Sequence, residues 1–357
     1  MITYRLSNLR KFLDDKKVNA VIINKLANVH YFSGFTGDSS ALIITHKRNI
    51  LVTDGRYIEQ AESESPKFEI IEQTDGLWKK VSEVLAEISL ISVGFEGNYL
   101  TVSEFNKLHE LSPKLKLTSI NLDELRQIKD ETEIAKIEKA CEIADKSFEE
   151  ILKFIRPGIR EIDIAAHLEH FMRKLGSKKP AFDTIVASGL RSTLPHGIAT
   201  EKIIKPGEFV TMDFGAIYKN YNSDITRTIF VGRANEMQKK LYNSVLNAQL
   251  HGLKIIKPGI SGKTADAEVR AELEKDGFEK YFIHGLGHGV GIEIHEEPRL
   301  SKKSTCEELK ANMIVTDEPG VYIPNFGGVR IEDTILITDN GAKPLTKSPK
   351  NFIEINV

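Results

Sequence analysis

Short apolar runs alternate with helical patterns along the first third of the chain. Three runs have the length of buried strands; they are residues 20–23, 41–44 and 50–52. Apolar residues recur at helical spacing in three other segments, residues 4–17, 78–88 and 102–108. Strands that alternate with helices predict an α/β layer domain, which we place at residues 1–125.

A polar stretch, residues 121–132, leads into a second region that we predict to form a separate domain, residues 126–357. Its apolar positions predict two pairs of helices. The four predicted helices are residues 133–155, 162–175, 235–256 and 264–275. Each pair of helices is followed by two strand-like runs around a turn. The first strand pair is residues 209–233 and the second strand pair is residues 314–338.

The breaks that end these helices repeat at a fixed offset. Pro157 and Gly158 end the first helix, and Pro258 and Gly259 end the third, an offset of 101 residues (258 − 157). Proline cannot continue a helix, and glycine accepts the left-handed conformation of a helix end. The repeat predicts an α+β domain with a pseudo-twofold internal repeat, in which the two strand pairs join in one sheet backed by the helices.

Composition excludes several classes of partner. The chain has 357 residues, too many for one small core, and 41% of them are hydrophobic and 28% charged, with a net charge of −2. This balance argues against a nucleic-acid binder or a membrane-surface protein. No apolar run approaches the roughly 20 residues of a membrane helix. Two cysteines, Cys141 and Cys306, give no disulfide framework; with no signal peptide, we expect a cytoplasmic protein.

Each strand pair carries two carboxylates. A turn near residues 219–220 brings Asp213 and Asp224 close to opposite each other on neighbouring strands. Cross-strand partners lie roughly 4.5–5.5 Å apart, and two like charges at that distance destabilise a sheet unless a cation lies between them. Alignment of the second strand pair with the first places Glu318 at the position of Asp213, and Glu332 less closely at that of Asp224.

One imidazole joins these carboxylates. His288 lies in a glycine-rich segment, where glycine lets the backbone approach a site closely. Arg330 shares the strand face of Glu332 by period two, and we expect it to orient the ligands. The next residue, Asp333, points to the other face and is expected to be structural. Four carboxylates and one imidazole suit two divalent ions such as Mn²⁺, Co²⁺ or Zn²⁺, which together activate water and polarise a carbonyl.

Three further histidines and one tyrosine are candidates for contact with a substrate. His284 is predicted to bind substrate, because the glycines between it and His288 argue against a helical pair of metal ligands. His295 and His196 are candidates to hydrogen-bond the reacting carbonyl or to move a proton. Tyr322 is a candidate to donate to a charged intermediate.

These residues lie in segments that resemble the pita-bread metallopeptidases, and among them the Xaa-Pro peptidases prolidase and aminopeptidase P. The segments are FDTIVASGLRSTLPHG, MDFGAIYKNYNSDITRT, HGLGHGVGIEIHEEP, DEPGVYIP and GVRIEDT. The resemblance covers nearly the whole chain, and implies a creatinase-like N-terminal domain, a pita-bread catalytic domain and a homodimer. The family's five metal ligands fall on Asp213, Asp224, His288, Glu318 and Glu332. Its other site residues fall on His196, His284, His295, Tyr322 and Arg330.

The resemblance also implies a reaction, the cleavage of the bond before proline in short proline-containing peptides. A hydroxide that bridges two metal ions would attack the carbonyl, with Mn²⁺ the first expectation and Co²⁺ or Zn²⁺ the alternatives. Glu318 would take the proton and His295 would stabilise the intermediate; such acid–base steps are worth about 10²–10⁴-fold in rate. His284, His295 or Arg330 would hold the carboxylate of a short substrate.

Several related activities compete with this interpretation. Methionine aminopeptidase shares the ligand set but usually lacks a domain like residues 1–125. Creatinase has both domains but is free of metal, and peptide-binding pseudo-peptidases have lost ligands that this chain retains. Within the Xaa-Pro peptidases we favour a dipeptidase over aminopeptidase P, a choice that depends on the depth of the pocket beyond the proline.

Overall fold

The structure, a computed structural model, describes residues 1–356, and it divides into two compact units, Met1–Arg126 and Gln127–Val357. Residue 357, the last of the predicted second domain, lies outside the described residues. Among the residues that are described, no helix combines the length and the apolar character that crossing a membrane requires.

The first unit is a mixed six-stranded sheet with helices. Its strands are β1 (Ala20–Ile23), β2 (Ser40–Thr45), β3 (Asn49–Asp54), β4 (Glu69–Gln73), β5 (Ser92–Glu96) and β6 (Lys116–Ile120). Its helices are α1 (Ile2–Asp15), α2 (Leu26–Ser33), α3 (Ile58–Glu64), α4 (Leu77–Glu87) and α5 (Val102–Leu111). The sheet order is β4-β3-β2-β1-β5-β6, so the three predicted strands form its fully buried centre. The predicted α/β layer is therefore confirmed.

The second unit contains the two predicted pairs of helices. They are α6 (Glu131–Phe154), α7 (Glu161–Lys174), α8 (Glu236–Ile255) and α9 (Gly262–Glu274). Gly158 and Gly259, after the first and third of them, have φ of 91° and 90°. Because a Cβ is strained at such angles, glycine is required at both equivalent positions of the repeat. The sequence places the start of α6 two residues late, since Asp130 caps the helix by accepting the N–H groups of Thr132 and Glu133.

The first sheet of this unit holds the first strand pair. Its strands are β7 (Ile185–Ser188), β8 (Glu208–Phe214) and β11 (Ile225–Val231), joined by β19 (Glu354–Ile355) in the order β19-β11-β8-β7. A small hairpin of β9 (Ile217–Tyr218) and β10 (Tyr221–Asn222) lies between β8 and β11. Apolar residues of α6 and α7 pack against this sheet and form one core.

The second strand pair lies in another sheet. Its strands are β12 (Gly287–Gly289), β13 (Glu296–Leu300), β14 (Ile314–Asp317), β17 (Asp333–Thr338) and β18 (Gly341–Pro344), in the order β13-β12-β14-β17-β18. A hairpin of β15 (Gly320–Ile323) and β16 (Gly327–Arg330) lies between β14 and β17. Apolar residues of α8 and α9 pack against the strands that follow them.

The expectation that the two strand pairs join in one sheet is wrong. They belong to two separately hydrogen-bonded sheets, which adjoin through single bonds such as the Glu332 N–H to the Thr226 carbonyl at 3.1 Å. The second pair is interrupted by its inner hairpin, so β16 and β17 do not continue as one strand. Each strand pair carries its carboxylates near one end. At the junction these two ends lie side by side.

Candidate active site

A cavity of about 470 Å³ lies in the second unit at the junction of the two sheets. All of the site residues predicted from the sequence except Tyr322 line it. They are Asp213, Asp224, His288, Glu318, Glu332, His196, His284, His295 and Arg330. The structure therefore brings together side chains that are spread over more than a hundred residues of sequence.

The first strand pair supplies two carboxylates in a geometry that differs in one detail from the prediction. Asp213 lies in β8, but its cross-strand partner is Thr226, and Asp224 lies one residue before β11 begins. The Thr226 hydroxyl donates to Glu332 Oε2 at 2.6 Å, which ties the two sheets together. The two aspartates are therefore diagonal neighbours, close enough to share a site although they are not opposed.

The second strand pair supplies two glutamates at the ends of its strands. Glu318 follows β14, and its Oε1 accepts the Thr316 hydroxyl at 3.0 Å. Glu332 precedes β17. Asp317, which precedes Glu318, and Asp333, which follows Glu332, are cross-strand partners. By strand alternation they face away from the cavity.

Asp333 has a structural role, as the sequence predicts. Its Oδ1 accepts from the guanidinium of Arg227 and the hydroxyl of Thr346, each at 2.8 Å. Its Oδ2 accepts from the Gln249 amide at 3.1 Å and from Lys350. All of these bonds except that from Lys350 are buried, and they fix the backbone directly beside Glu332.

His288 faces the carboxylates with an unprotonated nitrogen. Burial, with a smaller contribution from His295, lowers the pKa of His288 to about 3, so the ring is neutral. Its Nδ1 lies 3.0 Å from the Gly289 carbonyl and donates to it, which leaves a lone pair on Nε2. That nitrogen lies 3.5 Å from Asp224 Oδ2 and 3.3 Å from Glu318 Oε1. Acceptors that face one another in this way are stabilised by a proton or a cation between them.

The electrostatics of the carboxylates support the same conclusion. Burial and the neighbouring carboxylates raise the pKa values of Asp224 and Glu332 well above the ordinary range. Burial also raises the pKa of Glu318 to about 7. Asp213 Oδ1 and Glu332 Oε1 are buried with no hydrogen-bond partner among the described residues. Donor atoms of Asp224, His288 and Glu332 all lie within 4.8 Å of one another, so this donor set fits a bound metal ion.

Arg330 is bound on all sides by protein groups. It donates from Nη2 to Asp213 Oδ2 at 2.6 Å and from Nε to the Thr226 hydroxyl at 3.0 Å. Its Nη1 donates to the Tyr322 hydroxyl at 2.7 Å and to the Pro195 carbonyl at 3.2 Å. The expected orienting contact with a carboxylate is thus present, but it reaches Asp213, which belongs to the other strand pair.

Tyr322 and His284 extend this chain of bonds. The Tyr322 hydroxyl lies 2.9 Å from His284 Nε2, and His284 Nδ1 lies 2.8 Å from the Gly285 carbonyl. Burial, followed by the charge of Arg330, lowers the pKa of His284 to about 3, so the ring is neutral. Both of its nitrogens are then engaged inside the protein. We define His284, Tyr322, Arg330 and Asp213 as the polar chain of the site.

His196 and His295 approach the cavity from the two sheets. The ring of His295 packs edge-on against that of His288 with the centroids 4.3 Å apart, and its side chain is exposed. His196 follows a 3₁₀ helix at Gly189–Thr193. That loop is held by Glu161 of α7, which is fully buried and bonds Arg191 and Thr200. Both histidines line the cavity, and their chemical roles stay predictions.

Sequence reasoning missed three residues of the site. Thr226 and Thr316 bond the carboxylates directly, and each is two residues from a predicted ligand, which is a period-two signal that the sequence offers. Arg299 lines the cavity and is the cross-strand partner of His288. Its side chain is exposed, and its guanidinium has no ion pair with any of residues 1–356. Arg299 was not predicted because β12 and β13 are short and irregular.

Comparison with known proteins identifies the family. Residues 5–128 match the creatinase/prolidase N-terminal domain and residues 135–339 match metallopeptidase family M24. An Xaa-Pro dipeptidase of Pyrococcus furiosus is 44% identical, over 98% of this chain and 99% of its own length. The solved Xaa-Pro dipeptidase from Bacillus anthracis has a TM-score of 0.97 and 42% identity, covering 99% of this chain and 100% of that one.

A third relative carries a different activity in its name. The X-Pro aminopeptidase from Thermotoga maritima has a TM-score of 0.91 and 36% identity, covering 98% of this chain and 100% of that one. The likeness extends over both units in every case, which confirms the predicted fold class of a creatinase-like domain followed by a pita-bread domain. The chain therefore belongs to metallopeptidase family M24 and is a metal-dependent peptidase.

Proposed function

We propose that the chain is an Xaa-Pro dipeptidase, which hydrolyses the bond before proline in dipeptides. The observation that carries the proposal is the buried cluster of four carboxylates and His288 beside a cavity that also holds an unpaired guanidinium, that of Arg299. The names of the relatives from Pyrococcus furiosus and Bacillus anthracis support the same substrate class. A catalytically silent peptide-binding protein is not favoured, because the whole donor set is retained.

The metal site is proposed to hold two divalent ions, Mn²⁺ first and Co²⁺ or Zn²⁺ as alternatives. Asp213, Asp224, His288, Glu318 and Glu332 would be the ligands. When bound, such ions polarise a carbonyl and make water a nucleophile near neutral pH. Mixed carboxylate and imidazole donors suit these metals better than Ca²⁺.

The protein groups around this site have separate proposed tasks. Glu318 accepts the proton of the attacking water and passes it to the proline nitrogen, which must be protonated to leave. His295 and His196 line the cavity and hydrogen-bond the carbonyl oxygen. Arg330 and Tyr322 were predicted to bind substrate, but their hydrogen bonds go to the protein. We propose that they orient Asp213 instead.

The length of the substrate decides between the two named activities. We expect hydrolysis of Ala-Pro and little hydrolysis of Ala-Pro-Ala, because a dipeptide presents its carboxylate directly beside the proline. The rates on the two peptides, measured with the metal-loaded protein, check this. Preference for Ala-Pro-Ala would contradict the dipeptidase and support an aminopeptidase like the relative from Thermotoga maritima.

Arg299 is the residue that we propose to hold that carboxylate. Its guanidinium lines the cavity and lies on the same sheet face as His288, its cross-strand partner. Charge-assisted hydrogen bonds are worth about 1.5–3 kcal/mol. Arg299→Met is therefore expected to raise KM for Ala-Pro by roughly 10- to 100-fold, with a smaller change in kcat. Steady-state kinetics measure both constants.

The matched control for this variant is a substrate without the charge. Ala-Pro amide lacks the carboxylate, so wild type and Arg299→Met are expected to handle it alike. An equal loss on the acid and on the amide would show that Arg299 does not recognise the carboxylate.

The remaining proposals concern assembly and location. We propose a homodimer, as the resemblance implies, which light scattering of the purified protein in solution checks; a monomer would contradict it. We propose a cytoplasmic location because both cysteines, Cys141 and Cys306, are free. Fractionation of cells would contradict this if the protein were found outside the cytoplasm.

A further inference from the structure

Two side chains of α9 hold the backbone of the segment that carries His284. Arg270 donates from Nη1 to the Phe282 carbonyl at 2.6 Å and from Nη2 to the His284 carbonyl. Asp266 accepts the Leu286 N–H at 3.0 Å. The two side chains therefore grip three alternate residues of one extended segment, with His284 in the middle.

An ion pair between Asp266 and Arg270 fixes these two side chains relative to each other. Arg270 Nε donates to Asp266 Oδ2 at 2.8 Å, one helical turn apart on α9. Asp266 is fully buried and Arg270 is 8% exposed. The guanidinium also lies over the Phe282 ring, 4.1 Å from its centroid. Planar guanidinium donors with several fixed acceptors hold a geometry that a single ammonium group cannot reproduce.

Both ends of this segment lead to the proposed metal ligands. His284 begins the polar chain that runs through Tyr322 and Arg330 to Asp213. The Leu286 carbonyl accepts the backbone N–H of Glu318 at 2.9 Å. A shift of the segment would therefore move the groups that orient two ligands, although neither Asp266 nor Arg270 lines the cavity.

The other half of the repeat uses a comparable arrangement. Glu161, on α7, accepts from the Ser188 N–H at 2.8 Å, from the Thr200 N–H at 3.2 Å and from Arg191. It thereby holds the loop that carries His196. In each half, a buried acid on the second helix, paired with an arginine, fixes the backbone that brings one histidine to the cavity.

We infer that the Asp266–Arg270 pair positions His284. The pair affects the reaction through His284. The inference rests on the proposed function, since the reaction it serves is the hydrolysis of Xaa-Pro dipeptides. It assigns a role to two residues that contact no substrate. The inference also treats the two halves of the domain as independent, because His284 and His196 are each positioned by a different acid–arginine pair.

A double-mutant cycle tests whether the pair acts through His284. Arg270→Lys keeps the charge but cannot span both carbonyls, so kcat on Ala-Pro is expected to fall about 10- to 100-fold with KM little changed, as for a misplaced group. His284→Ala is expected to lower kcat by a similar factor. The double variant should be no slower than His284→Ala alone, because coupled residues are not additive. Multiplicative losses in the double variant would overturn the inference.

A control in the other half and a second variant complete the test. Arg191→Lys perturbs the His196 loop, so its loss should multiply with that of His284→Ala. Thermal unfolding shows whether each variant is folded. If Arg270→Lys does not fold, Asp266→Asn replaces it. This variant keeps the shape and, through Oδ1, the bond from Leu286, but its amide NH2 group faces Arg270 Nε and removes the bond that Oδ2 accepts. Failure of the proposed function would show differently, as a folded wild type that does not cleave Ala-Pro. Failure of the inference alone would show as multiplicative losses in an enzyme that is active on Ala-Pro.

Discussion

Glu318→Gln is expected to lower kcat on Ala-Pro by at least about 10³-fold while the protein stays folded. Glu318 Oε1 lies 3.3 Å from His288 Nε2 and accepts a hydrogen bond from Thr316, so the side chain is fixed within the site. Glutamine has nearly the same shape but cannot accept the proton of the attacking water. Steady-state kinetics give the loss, and circular dichroism checks the fold.

The neighbouring acid provides the control for this variant. Asp317 is one residue away, is fully buried and faces the Gln249 side of the strand. Burial, followed by the charge of Asp333, raises its pKa well above the ordinary range, and asparagine keeps the shape of the side chain. Asp317→Asn should keep most of the activity. Near-normal turnover by Glu318→Gln would contradict the proposed role of Glu318.

His288→Ala is expected to abolish activity by removing metal rather than by disturbing the fold. Its Nε2 is the only nitrogen of the proposed donor set and lies within 3.5 Å of oxygens from two carboxylates. Loss of this ligand should weaken metal binding by more than the roughly 10–100-fold that loss of a supporting residue costs. Metal content after dialysis and calorimetric titration with Mn²⁺ measure the effect.

Another histidine of the same unit is the matched control. His251 lies on α8, and its Nε2 lies 3.6 Å from the exposed Glu268. His251→Ala should keep full metal content and full activity. Unchanged Mn²⁺ affinity in His288→Ala would show that the cation of this site is held without the imidazole.

The sequence predicted residues that prove to line one cavity, because its signals are local. Asp213 and Glu318 each lie at an apolar strand, and the residues before them align between the two strand pairs. The repeated glycines, Gly158 and Gly259, mark the two halves of the second unit. Strand period two placed Asp333 on the face away from the site, where its bonds to Arg227 and Lys350 now show a structural role. Each of these conclusions needs only the spacing of residues within one element.

The features that the sequence did not predict depend on contacts between distant elements. The two strand pairs adjoin as separate sheets, because the inner hairpin of β15 and β16 interrupts the second pair. Arg299 reaches the site through the short, bulged pairing of β12 with β13. In the first unit, the edge strands β4 and β6 are partly exposed, so their apolar pattern is weak.

The two strand pairs also explain why the site suits a cation. Each pair places two acids at the end of its strands, with buried oxygens on Asp213 and Glu332 that no described group satisfies. Internal duplication of the helix-pair and strand-pair plan brings the two sets face to face. His288 is the proposed ligand that the duplication does not supply, since it comes from β12, outside both strand pairs.

Metal-dependent hydrolysis of Xaa-Pro dipeptides is the central claim, and one measurement tests it most directly. The protein is depleted of metal with a chelator, and the hydrolysis of Ala-Pro is followed before and after Mn²⁺, Co²⁺ or Zn²⁺ is added back. We predict no turnover in the depleted protein and full recovery on addition of metal, highest with Mn²⁺. Turnover that survives complete depletion, or a metal-loaded and folded protein that leaves Ala-Pro intact, would contradict the claim.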